Sequence, residues 1–397
     1  MTYRIRKRGG FLSALAVWLL LCGCGYAAAD APLARLADGS TLTAPVVAMD
    51  AQWKVTFLAD GARREVSARD LVEWGAPVEP PQATLVLLAD GGLLAAETVQ
   101  VDLQHVTLES GVFGRLQMPR ETAVGILLQP PVDRGARDRL MDQLRRRVPD
   151  ASEELLLANG DRLPGRVREV RAEAVQIDAP GGPIRVEAQR VAAIGLRAAE
   201  TPAAAFGVWL GLRDGSRLPT AALAWSAQAV RVTWQDRIVS CRPEDAVWLQ
   251  PRGGRSVYLS DLSATDYRHV PYLTLTRPYA KDRSLGGGML RCHGRLYAKG
   301  LAMPSTSRLT YALPRDARRF EAELGLDDET DRGGSVRFRV FVDGRLKHAS
   351  PTVRGGDAPL PLSVDVAGAE RLDLVVDFAD RGDVLDHADW LNARLIR

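Results

Sequence analysis

The chain runs to 397 residues, 46% of them apolar and 25% charged, with 52 Lys+Arg against 49 Asp+Glu. That length predicts roughly two or three domains. So even a charge makes no electrostatic case for nucleic acid, which is bound through a surplus of cations facing phosphates.

Arg4, Arg6, Lys7 and Arg8 open the chain, Phe11 to Cys22 supplies a short apolar run, and Ala27-Ala28-Ala29 gives a small-x-small cleavage site. This is the layout of a secretory signal peptide over 1–29. Its apolar run falls short of the ~20 residues a spanning helix needs. The expectation is export to the periplasm, the cell surface or the medium, with no membrane span in the mature chain. Leu21-Cys22-Gly23-Cys24 approximates a lipobox, so a lipoprotein anchored at Cys24 is the alternative. Removing four basic and no acidic residues from 52 leaves 48 Lys+Arg against 49 Asp+Glu. Cys241 and Cys292 remain. They fall in different domains and are expected as free or buried thiols rather than as the disulfide that export would permit.

The middle of the chain repeats itself. LADGSTL (36–42), LADGGLL (88–94), LANGDRL (157–163) and LRDGSRL (212–218) share a Leu-x-(Asp/Asn)-Gly core. Each is followed by an alternating run, as in Val55-Thr56-Phe57 and Val106-Thr107-Leu108, and each repeat closes on an apolar strand such as Leu71 to Trp74. Period-two alternation puts one side of each strand in a core. Asp-Gly and Asn-Gly supply the positive φ of a tight hairpin. The expected fold class is all-β, with tandem small SH3-like or Sm-like barrels over 30–78, 82–131, 152–199 and 205–252. Between the second and third lies 133–150, where Leu140, Met141 and Leu144 fall at helical spacing among arginines. A helix linking two pairs of barrels is expected there. Its other reading is a basic helix for a membrane surface or an acidic partner, although Asp138 and Asp142 break up the charge. The repeats hold no cluster of His, Cys or acids at ligand spacing, and His105 sits in an alternating strand. They read as spacers, or as modules that bind envelope proteins.

From residue 256 the text changes. VYLSDL (257–262), KDRSLGGGMLRCHGRLYAKGLAM (281–303), STSRLTYALPRDARRFEAELGLDDET (305–330), GSVRFRVFVDGRL (334–346) and DHADWLNARL (386–395) follow in order. Val336, Phe338, Val340 and Val342 alternate with polar residues before Asp343-Gly344, and Leu372, Leu374, Val376 and Phe378 alternate again. Such runs are strands whose apolar faces need a second sheet to bury against. Together the segments resemble the NPCBM family of carbohydrate-binding modules. The resemblance implies a galactose-binding-like jelly-roll β-sandwich over 256–397, with a polysaccharide or glycoconjugate as partner. Where that family tends to carry a Gly-x-His stretch after Lys-Gly-Leu, this chain reads Ala302-Met303-Pro304-Ser305.

A sugar site needs an aromatic face for the C–H side of the ring and planar polar groups for its hydroxyls. Tyr267, Tyr272, Tyr279, Arg283, His387 and Trp390 are the candidates, with Asp282 beside them. Hard oxygen ligands suit calcium, and the resemblance allows a structural calcium on Asp327, Asp328, Glu329, Asp386 and Asp389; no cofactor is required. The opposed reading has Asp386 and Asp389 capping turns and pairing with Arg381 or Arg394, while Trp390 packs into the sandwich. No Ser-His-Asp set and no room for a catalytic domain is found, so an enzyme is not expected. Two roles stay open: an exported non-catalytic protein whose module binds cell-surface or extracellular glycans, and a structural or protein-interaction protein of the cell envelope without sugar binding.

Overall fold

The computed structural model describes residues 32–147, 152–199, 206–234 and 237–397. The expected signal peptide, its lipobox alternative and residues 148–150 of the linker lie outside the described residues. The described chain is nearly all β, and no helix in it is long and apolar enough to cross a membrane.

The shared heptad builds the same turn four times. In the first repeat the strands Leu33–Leu36 and Thr41–Thr43 pair antiparallel. Gly39 N–H donates to the Leu36 carbonyl, Asp38 Oδ1 accepts from Ser40 N–H, and Gly39 takes φ 90°. Gly91, Gly160 and Gly215 repeat this conformation with φ of 89°, 91° and 82°. Asp90, Asn159 and Asp214 repeat the side-chain-to-backbone bond at 2.9, 3.1 and 2.9 Å. A short Asp or Asn side chain satisfies the turn's own backbone, and glycine takes the left-handed position without a Cβ clash. The turn is therefore local chemistry.

Each repeat then divides its six strands between two sheets. Its first, second and sixth strands enter one 12-stranded sheet; its third to fifth enter a six-stranded sheet. The repeats pair second with third and first with fourth, which corrects the expectation that the linker helix joins a first–second pair to a third–fourth pair. Closing strands meet antiparallel, Ala123–Leu127 on Val191–Gly195 and Leu71–Gly75 on Ala246–Arg252. Middle strands meet likewise, at Val101 with Val170 and at Met49 with Trp225. Like edge against like edge satisfies both ladders by local twofold symmetry, so no hydrogen-bonding edge is left bare at these seams. One buried cluster runs through all four repeats, with Trp74 and Trp225 edge to face at 5.7 Å.

The linker forms the helix Arg134–Arg145, capped by Asp133, which accepts from Ala136 N–H. Leu140, Met141 and Leu144 are buried on the outer face of the large sheet with Leu85, Leu87 and Leu127. The close approach requires Gly125, where a Cβ would stand 3.0 Å from Leu144. With its apolar stripe covered, the membrane-surface reading of this helix loses the face it needs.

The C-terminal segment is a two-sheet sandwich. One sheet runs Ala280–Lys281, Gly300–Pro304, His387–Ile396, Arg319–Leu326, Leu360–Asp365, with Ser256–Tyr258 added against His387–Ile396. The other runs Asp266–His269, Ser307–Ala312, Arg371–Phe378, Ser335–Val342, Arg345–Ala349. Asp343 and Gly344, both at positive φ, make the two-residue turn expected from sequence. Val336, Phe338, Val340, Leu372, Leu374 and Val376 lie between the sheets. Cys241 and Cys292 are buried free thiols, and burial pushes Cys241 up to about 12.

The sandwich is fastened to the repeats by charge. Arg291, beside the small hairpin Leu290–Cys292/Arg295–Tyr297, donates to Glu79 at 2.9 Å and to Asp138 at 2.7 Å. Asp138 also accepts from Met289 N–H, and Arg283 pairs with Asp142 at 2.6 Å. On the far side Arg295 reaches Glu73 at 3.1 Å, Arg35 reaches Glu323 at 3.2 Å, and Arg319 donates to the Ala37 carbonyl. Removing one partner of a buried ion pair strands the other charge. Glu79 is a third exposed and screened, so the loss falls on Asp138. Arg291→Ala is expected to cost about 3 kcal/mol and to split one calorimetric unfolding transition into two, repeats and sandwich separately. A single transition at the parent temperature contradicts that assignment.

Candidate functional site

Loops at one rim of the sandwich carry exposed chemistry, next to the Ser284–Gly286 segment that bonds Glu329. The segment after Asp266–His269 and the segment before His387–Ile396 meet there. Tyr272 N–H donates to Asp383 at 3.3 Å, and Arg277 N–H donates to His269 Nδ1 at 3.0 Å. Arg277 Nη1 lies 3.2 Å from His387 Nε2, and His387 Nδ1 lies 2.5 Å from Glu329 Oε1. A guanidinium only donates, so Nε2 accepts and Nδ1 carries the proton facing Glu329. Burial works against ionising Glu329, yet the bonds from His387 and Ser284 prevail and hold its carboxyl below the usual range. The result is a fixed chain, Arg277 to His387 to Glu329.

Beside it is a cavity of about 260 Å³ lined by His269, Leu273, Arg277, Ser305, Asp383 and His387 among others. Its mouth is apolar: Tyr272 is 66% exposed, Leu273 80% and Leu275 66%, with Val384 and Leu385 opposite. A contiguous apolar patch framed by polar groups is unusual on a free surface and marks a binding face. Carbohydrate chemistry needs such a pairing of ring face and hydrogen-bonding groups.

The candidate sugar residues separate. Tyr272 and His387 are at this rim. Tyr267 and Tyr279 pack on each other at 5.0 Å, half-buried against the sandwich core, and the Tyr267 hydroxyl donates to the Arg277 carbonyl. They brace the loop. Arg283 does not line this cavity; it pairs with Asp142 of the helix and precedes Ser284, which donates to Glu329 behind His387. Trp390 is fully buried, edge to face with Phe338 at 5.0 Å and tilted on Phe320 at 6.3 Å. That corrects its placement as a sugar platform and matches the opposed reading, because its strand runs through the middle of its sheet. His269, Leu273, Leu275 and Arg277 were missed. Nothing in their spacing singles them out, and only Pro271 and Pro278 mark the stretch as loop.

The five acids proposed for calcium do not converge on one point, and among the described residues no three His, Cys, Asp or Glu side chains are arranged to hold a metal. Asp328 accepts from His293 and Gly294 N–H, and Asp386 accepts from Ser335 N–H. Neither Asp386 nor Asp389 pairs with Arg394, whose guanidinium goes to Glu321 at 2.6 Å. Asp327 accepts from Glu329 and Arg291 N–H. Asp389 is buried, and its carboxyl faces that of Asp327.

Two carboxyls in one buried place share a proton rather than both ionise. Burial pushes Asp327 up to about 6 and lifts Asp389 well above the usual carboxylate range, with the Asp327 charge adding to it. A folded-state pKa raised above the unfolded value contributes stability at low pH that is lost as pH rises through it. The contribution is whole below about pH 4 and fades through 6 and beyond. Asp389→Asn keeps a donor toward Asp327 without the charge. Its thermal unfolding is expected about 3 °C above the parent at pH 8, the gap closing toward pH 4. Identical curves at both pH values contradict the shared proton.

Part of the chain is similar to known proteins. A stretch of 115 residues, 28% of this chain, is 35% identical to Alpha-1,3-galactosidase B of Akkermansia muciniphila, and it spans 14% of that protein. A CBM51 domain of Clostridium perfringens GH95, solved with methyl-galactose, aligns at 27% identity and TM-score 0.32, over 35% of this chain and 99% of that one. The CBM51-2 and INT domains of Clostridium perfringens ZmpB, solved with GlcNAc, align at 28% identity and TM-score 0.34, over 43% of this chain and 36% of that one. Residues 255–396, the C-terminal sandwich, match the NPCBM/NEW2 domain family.

Proposed function

We propose that this chain is an exported, non-catalytic glycan-binding protein whose module takes a sugar at the rim cleft, with the four repeats as its rigid mount. The observation that carries the reading is the rim itself. Tyr272 offers a solvent-exposed ring beside a cavity in which Arg277 and His387 are already held in one geometry. Groups fixed before binding lose little freedom on binding, which favours even a small contact. The similar domains solved with methyl-galactose or GlcNAc supply the ligand class to try first.

The acids at the rim support a binding role over hydrolysis. Glu329 is taken up by His387 and Ser284, and Asp383 by Tyr272 N–H, while Asp386 accepts from Ser335 N–H through one oxygen and leaves the other without a partner. A retaining glycosidase needs two carboxyls roughly 5–5.5 Å apart and free to act on one bond; Glu329 and Asp383 are engaged by the scaffold, which leaves Asp386 without such a mate among them.

Affinity electrophoresis in galactose- and N-acetylglucosamine-containing polysaccharides tests the reading. The parent is expected to be retarded. Tyr272→Ala removes the ring and is expected to weaken retention roughly tenfold, the equivalent of about 1.4 kcal/mol, with unchanged melting temperature because the side chain is exposed. Arg277→Ala should weaken it further by releasing His387. Parent mobility unaffected by every polymer sinks the proposal.

A further inference from the structure

A second cavity, of about 300 Å³, opens where the helix Arg134–Arg145, the large sheet and the sandwich meet. Its charge does not balance. Asp138, Asp142 and Asp282 line it, and each is already engaged, with Arg291 at 2.7 Å, Arg283 at 2.6 Å and Lys299 at 2.9 Å respectively. Arg145, Arg217 and Arg252, each half-buried, also line it; among the described residues none of the three is in a salt bridge, although Asp138 and Asp142 act on Arg145, and Asp138 and Asp282 on Arg217, through space. Nε and Nη2 of Arg145 and Nε of Arg217 are buried without a partner, as is the indole N–H of Trp248 in the same wall. Burial, and then the neighbouring Arg217 charge, pulls Arg145 down to about 9.

Buried cations are retained when something pairs with them. These come from three separate elements, the helix, the strand Arg217–Thr220 and the strand Ala246–Arg252, so the surplus is a property of the assembled fold rather than of one basic stretch. The other wall is aromatic. Trp209 lies half-buried against the turn at Gly91, where a Cβ would stand 3.4 Å from its ring. A fork of guanidinium donors is matched by a planar or tetrahedral oxyanion, and an indole face is matched by the C–H side of a ring. The volume exceeds what a lone inorganic anion fills and falls at the small end of ligand pockets, roughly 300–1,000 Å³.

We infer that this cavity is an anion site for an acidic sugar residue, its carboxylate or sulfate held by Arg145 and Arg217 and its ring laid on Trp209. Its lining shares no residue with that of the rim cleft. A chain carrying both sites would read one neutral and one acidic unit of a glycan.

Titration calorimetry and thermal unfolding of the full chain test this with galacturonate, galactose 6-sulfate, inorganic sulfate and galactose, each at constant ionic strength. One or both acidic sugars should bind saturably and raise the melting temperature, roughly tenfold or more tighter than inorganic sulfate; which of them does so tells carboxylate from sulfate ester. Neutral galactose should not compete. Arg217→Met is expected to weaken the acidic sugar roughly tenfold or more, and its ligand-free form should melt above the parent because an unpaired buried charge has been removed. Tyr272→Ala, at the rim, should leave this binding untouched, so loss of one site is distinguishable from loss of the other. Inorganic sulfate as tight as either acidic sugar, absence of any saturable response, or unaltered binding in Arg217→Met overturns the assignment.

Discussion

Arg291 donates at once to Glu79, which follows the first repeat, and to Asp138 of the helix, and through those two acids the sandwich is seated on the sheet of the repeats. The bond joins residues 212 positions apart in the chain. Because Asp138 is almost wholly buried, its charge depends on this partner, with Met289 N–H and Arg137 beside it. Everything about the module's outward face follows from that seat. It uses up the hairpin, Arg283 and Asp142, and it leaves the loops around Tyr272 and Asp383 turned to solvent.

The same physics, applied to charges that lack such partners, marks the places of interest. Glu321 with Arg394 and Glu323 with the Tyr297 hydroxyl are satisfied pairs, and they serve the scaffold. Asp327 and Asp389 face each other as two acids, a conflict that a shared proton resolves. Arg145, Arg217 and Arg252 form a surplus of the opposite sign around a cavity. Buried polar groups are mostly hydrogen-bonded, so groups that are not are worth explaining.

Legibility followed the range of the interaction. The Leu-x-(Asp/Asn)-Gly turn was readable because its hydrogen bonds close within five residues, and the same holds for Asp343-Gly344. The linker helix was readable from the spacing of Leu140, Met141 and Leu144. Pairing of the repeats was not, since a strand edge does not state which of several like edges it will meet. Trp390 stood among acids in the sequence, yet alternate strand positions point to opposite sides, and only its central place in the sheet put it in the core. Leu273 and Leu275 carry no such local signal, and only the assembled loop shows them exposed.

The sequence by itself determined the all-β character, four copies of one turn, the helix between the second and third copies and a C-terminal module of recognisable family, because each is written in local pattern. The tertiary structure alone decided that the first repeat pairs with the fourth, that Tyr272 rather than Trp390 faces outward, and that three arginines from distant segments surround one cavity. Those outcomes depend on which surfaces exclude water together, and that is a property of the packed chain rather than of any stretch within it.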